Sequence, residues 1–259
     1  MRFRLVTLIT LLVPSVLVGQ SASTVTQDPQ AISVLNQALT ASGGAQALKA
    51  VLDYKASGNI SYHYGSDVQG TVTIMGLNTT EFRLDANLPA GIRSWSINQG
   101  ITTTKDENGR LSRRDPRTSP YPYKTPLFPS SIAFPYIQLV AVLNNPIYKI
   151  SYIGVEQLDG RSVHHIELQR VLPQQVRGND LFHRRDIFID ASTLQLAMTQ
   201  DIVGKSLVHQ VRYGAYTSVG GILVPFSISE HVSGQATWSI QLSQMTFNNG
   251  LQEPAFALQ

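Results

Sequence analysis

The chain has 259 residues, no cysteine, and 20 basic against 17 acidic side chains, a formal net charge of +3. The lack of cysteine removes disulfides, thiol nucleophiles, Cys-containing zinc sites and a lipid anchor attached to cysteine after a leader. Two of the basic residues, Arg2 and Arg4, belong to a leader, and without them the excess is about +1, too little for a global field that would draw nucleic acid.

Residues 1–23 read as a secretory signal peptide. Arg2 and Arg4 make a basic start, Leu5 to Val18 an apolar run, and Gly19, Ala22 and Ser23 supply small residues for cleavage. Pro14 interrupts the run, which is shorter than the roughly 20 residues of a transmembrane helix. A permanent membrane anchor is the rival reading. Export without disulfides points to a bacterial periplasm or exterior. Residues 24–259 are then expected to form a single domain, long enough to bury a substantial core.

Asp28-Pro29 is a helix start, with Asp as cap and Pro where its missing N–H costs nothing. Ile32, Leu35 and Leu39 fall on one face, and Ser42-Gly43-Gly44 ends the segment. Ala45 to Leu52 can form a second short helix. From Tyr54 the apolar period becomes two: Val72 and Ile74, Phe82 and Leu84, and Trp95 and Ile97 alternate with polar neighbours. The pattern resumes after Asn145-Pro146 in Ile147–Val155, Arg161–Val171, Asp186–Asp190, Leu194–Ile202, Leu207–Tyr216, Ile222–His231 and Thr237–Phe247. Turn signals at Leu158-Asp159-Gly160, Val219-Gly220-Gly221 and Ser233-Gly234 separate them. The expected fold is mainly β, a large curled antiparallel sheet or half-open β-barrel with a few covering helices.

The centre differs. Pro116, Pro120, Pro122, Pro126, Pro129 and Pro135 predict an extended strap. It leads into Tyr136–Leu143, apolar on nearly every side, which is either a core helix or a lid over a cavity.

Catalytic signatures are missing: no nucleophile elbow, metalloprotease helix, P-loop or dinucleotide fingerprint occurs. His165-Ile166-Glu167 matches half of a zinc-deaminase signature whose cysteines are absent. His63, His164, His165, His183, His209 and His231 lie on separate strands or turns, a spacing that does not predict a metal site. Asp186 and Asp190 share a strand face opposite Ile187 and Ile189 and read as solvated acids. The sequence calls for no catalytic residue, no metal and no cofactor. Arg110, Arg113, Arg114 and Arg117 form a solvated loop or a patch for an anionic membrane surface.

The C-terminal third carries a resemblance. Arg185-Asp186-Ile187-Phe188-Ile189-Asp190 before Thr193-Leu194, Val211-Arg212-Tyr213-Gly214-Ala215-Tyr216, Gly221-Ile222-Leu223-Val224-Pro225 and the closing Asn249 to Phe256-Ala257-Leu258 resemble the LolA/LolB-like group of periplasmic lipoprotein-sorting and lipid-carrier proteins. The opening around Gly43-Gly44 is similar to the start of the same group. The resemblance implies a half β-barrel whose helices cover an apolar, acyl-chain-holding cavity. No functional residue is carried over from it.

The leading functional expectation is a periplasmic binder or carrier of lipids or lipoproteins, partnered by a lipid or by the acyl chains of a lipoprotein. The alternative is an envelope structural or signalling module that binds a protein partner through the same fold. The apolar side of the strands supplies the candidate lipid-binding residues: Val72, Ile74, Phe82, Leu84, Trp95, Ile97, Ile166, Leu168, Phe226, Ile228, Trp238 and Ile240. A packed core would use the same set.

Overall fold

A computed structural model of the chain describes residues 27–63, 65, 67–115, 129–143, 145–170, 184–203 and 207–259. The leader, most of the proline strap with Arg117, and His183 lie outside the described residues.

Helix α1 spans Pro29–Ala41, and the Asp28 carboxylate accepts from the Gln30 and Ala31 amides at 2.8 and 3.3 Å, as its cap position predicts. Its buried face carries Ala31, Val34, Leu35, Ala38 and Leu39. At its end, Gly43 and Gly44 have φ of +119° and +92°, a region where a side chain is strained. A Cβ on Gly43 would also lie 2.7 Å from the Gly221 carbonyl oxygen, so the helix end sits directly on a turn of the sheet. Helix α2 is only Ala45–Lys49, shorter than the expected segment, because the chain turns towards the sheet and leaves Leu52 exposed.

The strands are β1 (Asp53–Tyr62), β2 (Val68–Leu77), β3 (Glu81–Leu88), β4 (Gly91–Asn98), β5 (Ile101–Lys105), β6 (Leu111–Arg114), β7 (Tyr148–Leu158), β8 (Arg161–Arg170), β9 (Arg184–Asp190), β10 (Leu196–Val203), β11 (Leu207–Val219), β12 (Ile222–Val232) and β13 (Gln235–Phe247), with helix α3 (Tyr136–Val142) before β7. They form one antiparallel sheet of 13 strands in the order β6-β5-β4-β3-β2-β1-β13-β12-β11-β10-β9-β8-β7. Two meanders are therefore joined by the β1–β13 ladder, where Tyr54 faces Phe247 and Ile60 faces Ile240. Strands β6 and β7 are the two edges and do not pair, so the sheet does not close into a barrel. This is the mainly β architecture that the period-two pattern predicts.

Register places the apolar side chains on one face. Ile60, Ile240, Ile228 and Tyr213 are cross-strand neighbours through β1, β13, β12 and β11, and Ile74, Leu84 and Trp95 through β2, β3 and β4. The helices and the residues before α3 pack on this inner face. The Phe134 ring lies 6.1 Å from Tyr54 and 5.2 Å from Phe247, and Tyr136 lies 6.2 Å from Tyr216. Helix α3 buries Tyr136, Ile137, Gln138, Leu139 and Val142 in the main core, which selects the core reading of this apolar segment.

The outer face is not uniformly wet. Val163, Phe188, Ala197 and Met198 make a second small core there. Asp186 and Asp190, expected to be solvated, are instead 1% and 5% exposed. Each has taken local partners. Asp190 accepts from the Ser192 and Thr193 amides, both at 2.9 Å, and Asp186 lies against Arg184 at 3.2 Å and His165 at 3.3 Å. The chain end also crosses the outer face. Asp53 accepts from the Asn249, Gly250 and Leu251 amides at 2.7, 2.9 and 3.1 Å, Arg83 donates to the Ala255 carbonyl at 3.0 Å, and Phe256 is fully buried.

Candidate functional site

At the end of the inner face that the helices leave uncovered, the sheet surrounds an open cavity of about 470 Å³, within the roughly 300–1,000 Å³ usual for ligand sites. Ile60, Tyr62, Leu84, Trp95, Glu230 and Trp238 form its walls. Arg93 and Ser94 at the start of β4, and Thr104 to Glu107 at the β5–β6 turn, form the rest. No described helical residue contributes.

Of the twelve expected lipid-binding residues, Leu84, Trp95 and Trp238 line this cavity. Val72, Ile74, Phe82, Ile97, Ile166, Leu168, Ile228 and Ile240 are buried in the continuous core beside it, and Phe226 packs against that core. Among the described residues, the cavity thus borders the buried core of the inner face. Sequence reasoning omitted Ile60, Tyr62, Arg93 and Glu230. The alternation that selected Trp95 and Trp238 would have reached Arg93 and the Ile60–Tyr62 pair, had polar and β1 positions been followed along the same face.

Five charged side chains line the cavity, and three of them, Arg93, Glu107 and Glu230, form side-chain ion pairs. Arg93 Nη2 lies 2.6 Å from Glu107 Oε1, with its guanidinium 4.6 Å from the centre of the Tyr62 ring. Glu230 Oε1 pairs with His209 Nε2 at 2.8 Å and Glu230 also accepts from the Thr237 hydroxyl. The other two charged lining residues are engaged elsewhere. Lys105 donates to the Gln259 carbonyl at 2.9 Å, and Asp106 accepts from the Asn108 and Arg110 amides at 3.1 and 2.8 Å.

Behind Glu230 a polar chain runs through the inner face. His209 Nδ1 is 3.8 Å from Asp201, Arg185 holds both Asp201 oxygens at 2.9 and 2.7 Å, and Arg185 Nη1 donates to Gln138 Oε1 on α3 at 2.8 Å. Burial opposes charge on His209, yet the Asp201 and Glu230 carboxylates hold its proton and push its pKa up to about 9. Burial would raise Asp201, but the adjacent Arg185 guanidinium and His209 hold it well below the usual carboxylate range. The charges alternate in sign, so the chain is close to neutral, as a buried set must be.

The remaining residues singled out from the sequence are scattered. His63 bonds Asp67 and Ser239, and His164 bonds the Tyr152 hydroxyl. Among the described residues no three His, Asp or Glu side chains gather as a metal-binding group. Arg110, Arg113 and Arg114 are exposed at the β6 edge. No described helix is long and apolar enough to cross a membrane.

No family model matches the sequence. No curated protein matches it either. Solved structures do. One is a protein domain from Vibrio parahaemolyticus assigned to outer membrane lipoprotein sorting, at 11% identity and TM-score 0.51, covering 87% of this chain and 95% of that one. Another is a LolA superfamily protein from Nitrosomonas europaea, at 11% identity and TM-score 0.53, covering 86% of this chain and 96% of that one. The likeness spans most of both proteins at low sequence identity, so it is a likeness of fold. The chain has the LolA-like fold.

Proposed function

We propose that the protein is an exported, periplasmic carrier or binder of acyl chains, from a lipid or a lipoprotein, and that it works by binding rather than by catalysis. The observation that carries this reading is the open cavity on the inner face, walled by Ile60, Leu84, Trp95 and Trp238. Each methylene that such walls take out of water contributes about 0.8 kcal/mol, so a long chain is held without any charged contact. Similarity of fold to a lipoprotein-sorting domain supports the same ligand class. In this reading residues 1–23 are removed on export and residues 24–259 act as one domain. Arg110, Arg113, Arg114 and Arg117 would face anionic head groups when the protein meets a membrane.

The chain has two tryptophans, and both line the cavity, so intrinsic fluorescence reports on it directly. A fatty acid brominated along its chain should quench that emission saturably, and the unbrominated chain should compete. Native mass spectrometry of protein isolated from its own periplasm should then show bound lipid. Emission unaffected by any acyl chain, together with lipid-free protein, would remove the carrier reading.

A further inference from the structure

The Arg93–Glu107 ion pair assigns the cavity a head group as well as a chain. The two residues come from different elements, β4 and the β5–β6 turn, and meet at the open side of the cavity with side chains 41% and 18% exposed. Ile60 and Leu84 are buried deeper, at 1% and 5%. A ligand that lays its chain on those two residues therefore brings its polar end to Arg93 and Glu107.

The charge balance at this mouth restricts what that end can be. Glu230 is held by His209 and Thr237, Asp106 by its own turn, and Lys105 by the Gln259 carbonyl. Among the described lining residues, the pair free to open towards a ligand is Arg93 with Glu107. A simple anion that took Arg93 would strand the Glu107 carboxylate in a partly buried site beside it. A simple cation would strand Arg93. Either outcome leaves one charge of a part-exposed pair without its partner, an unfavourable exchange that solvent at the mouth screens but does not cancel. A zwitterion replaces both partners at once with no change in net charge. The arginine fork suits a phosphate, and the carboxylate suits an ammonium. The aromatic faces of Tyr62, Trp95 and Trp238 add a favourable surface for a cation, and the Tyr62 ring already carries the Arg93 guanidinium.

We propose that Arg93 and Glu107 form a head-group site for a zwitterionic phospholipid, with phosphate on Arg93, ammonium on Glu107 and the chain against Ile60, Leu84 and the two indoles. This rests on the reading of the cavity as an acyl-chain site and goes beyond it to the ligand class.

The test is titration of the full mature protein, followed by tryptophan emission, with four probes, three short-chain lipids and one free head group. These are a phosphatidylethanolamine, a phosphatidylglycerol, a diacylglycerol of the same chains, and free phosphoethanolamine. One charge-assisted hydrogen-bonded contact corresponds to about a tenfold preference. Phosphatidylethanolamine should bind at least that much more tightly than the anionic and uncharged lipids, and free phosphoethanolamine should bind most weakly. Arg93→Glu and Glu107→Arg should each abolish the preference, and the double variant should restore it. Equal affinity for phosphatidylethanolamine and diacylglycerol would overturn the head-group site while leaving the carrier reading intact. So would tighter binding of phosphatidylglycerol. Tightest binding of free phosphoethanolamine would replace the lipid with a soluble phosphate ester. No binding of any lipid would remove the carrier reading and this site with it. Where a single variant fails to fold, the four-probe series on the unaltered protein decides.

Discussion

Stability should fall between neutral and alkaline pH through one side chain, His209. In the folded protein its pKa is raised from 6.5 to about 9, with the imidazole between Glu230 at 2.8 Å and Asp201 at 3.8 Å and its side chain 26% exposed. A folded-state pKa above the unfolded value means that the folded protein binds the proton more tightly. Its contribution is complete below the unfolded pKa of 6.5 and disappears as pH rises through 9. A separation of that size corresponds to about 3 kcal/mol. The carboxylate partners act in the opposite direction, since Asp201 and Glu230 are both lowered, and their contribution is lost in acid. The perturbation is His209→Gln, which retains a hydrogen-bonding side chain but cannot hold the extra proton. Urea denaturation of both proteins from about pH 6 to about pH 10 gives the assay, and their difference cancels lysines and tyrosines that titrate elsewhere. The original protein should exceed the variant most near pH 6, and the gap should shrink by about 3 kcal/mol on reaching the alkaline end. A gap constant across that range would show that Asp201 and Glu230 do not hold the proton, and the reasoning would fail.

Ile240 is 2% exposed and lies cross-strand from Ile60 and Ile228, so Ile240→Asp should cost about 3–5 kcal/mol in urea denaturation by burying an unpaired charge. Normal stability with lost acyl-chain binding would instead extend the cavity to Ile240. Asp53→Ala removes the acceptor for the Asn249, Gly250 and Leu251 amides and should cost about 2–4 kcal/mol. It should also speed carboxypeptidase digestion of the chain end, and unchanged digestion would show that Arg83, together with the Ser96 hydroxyl that donates to the Phe256 carbonyl, holds that end without it.

Much of the fold was legible because its local signals agree with one another. The Asp28-Pro29 start, the Gly43-Gly44 stop and the turns at Asp159-Gly160, Gly220-Gly221 and Ser233-Gly234 all have backbone chemistry with few alternatives. Period-two alternation in Val72–Ile74, Phe82–Leu84 and Trp95–Ile97 placed the apolar face correctly. Strands β5 and β6 escaped because Thr102 to Thr104 is polar throughout and all of β6 is exposed. Their strand character comes from pairing with β4 and with each other, which no alternation records. Asp186 and Asp190 were misplaced for a related reason. Periodicity set them opposite Ile187 and Ile189, but the second small core around Phe188 covers their face as well.

The sequence by itself determined the β class, the helical opening and the face on which apolar residues gather, because each follows from contacts between residues near in the chain. Only the tertiary structure decided which part of that face is filled. Ile240 and Trp238 are neighbours on one face of β13 with the same pattern and both belong to the buried core, yet of the two only Trp238 also borders the cavity. The difference lies in what covers each position, since no described residue of α1, α2 or α3 reaches the cavity wall. It also depends on Arg93 of β4 meeting Glu107 of the β5–β6 turn, while Glu230 of β12 meets His209 of β11. Those meetings depend on strand register and curl, which are long-range properties that alternation along a single strand cannot specify.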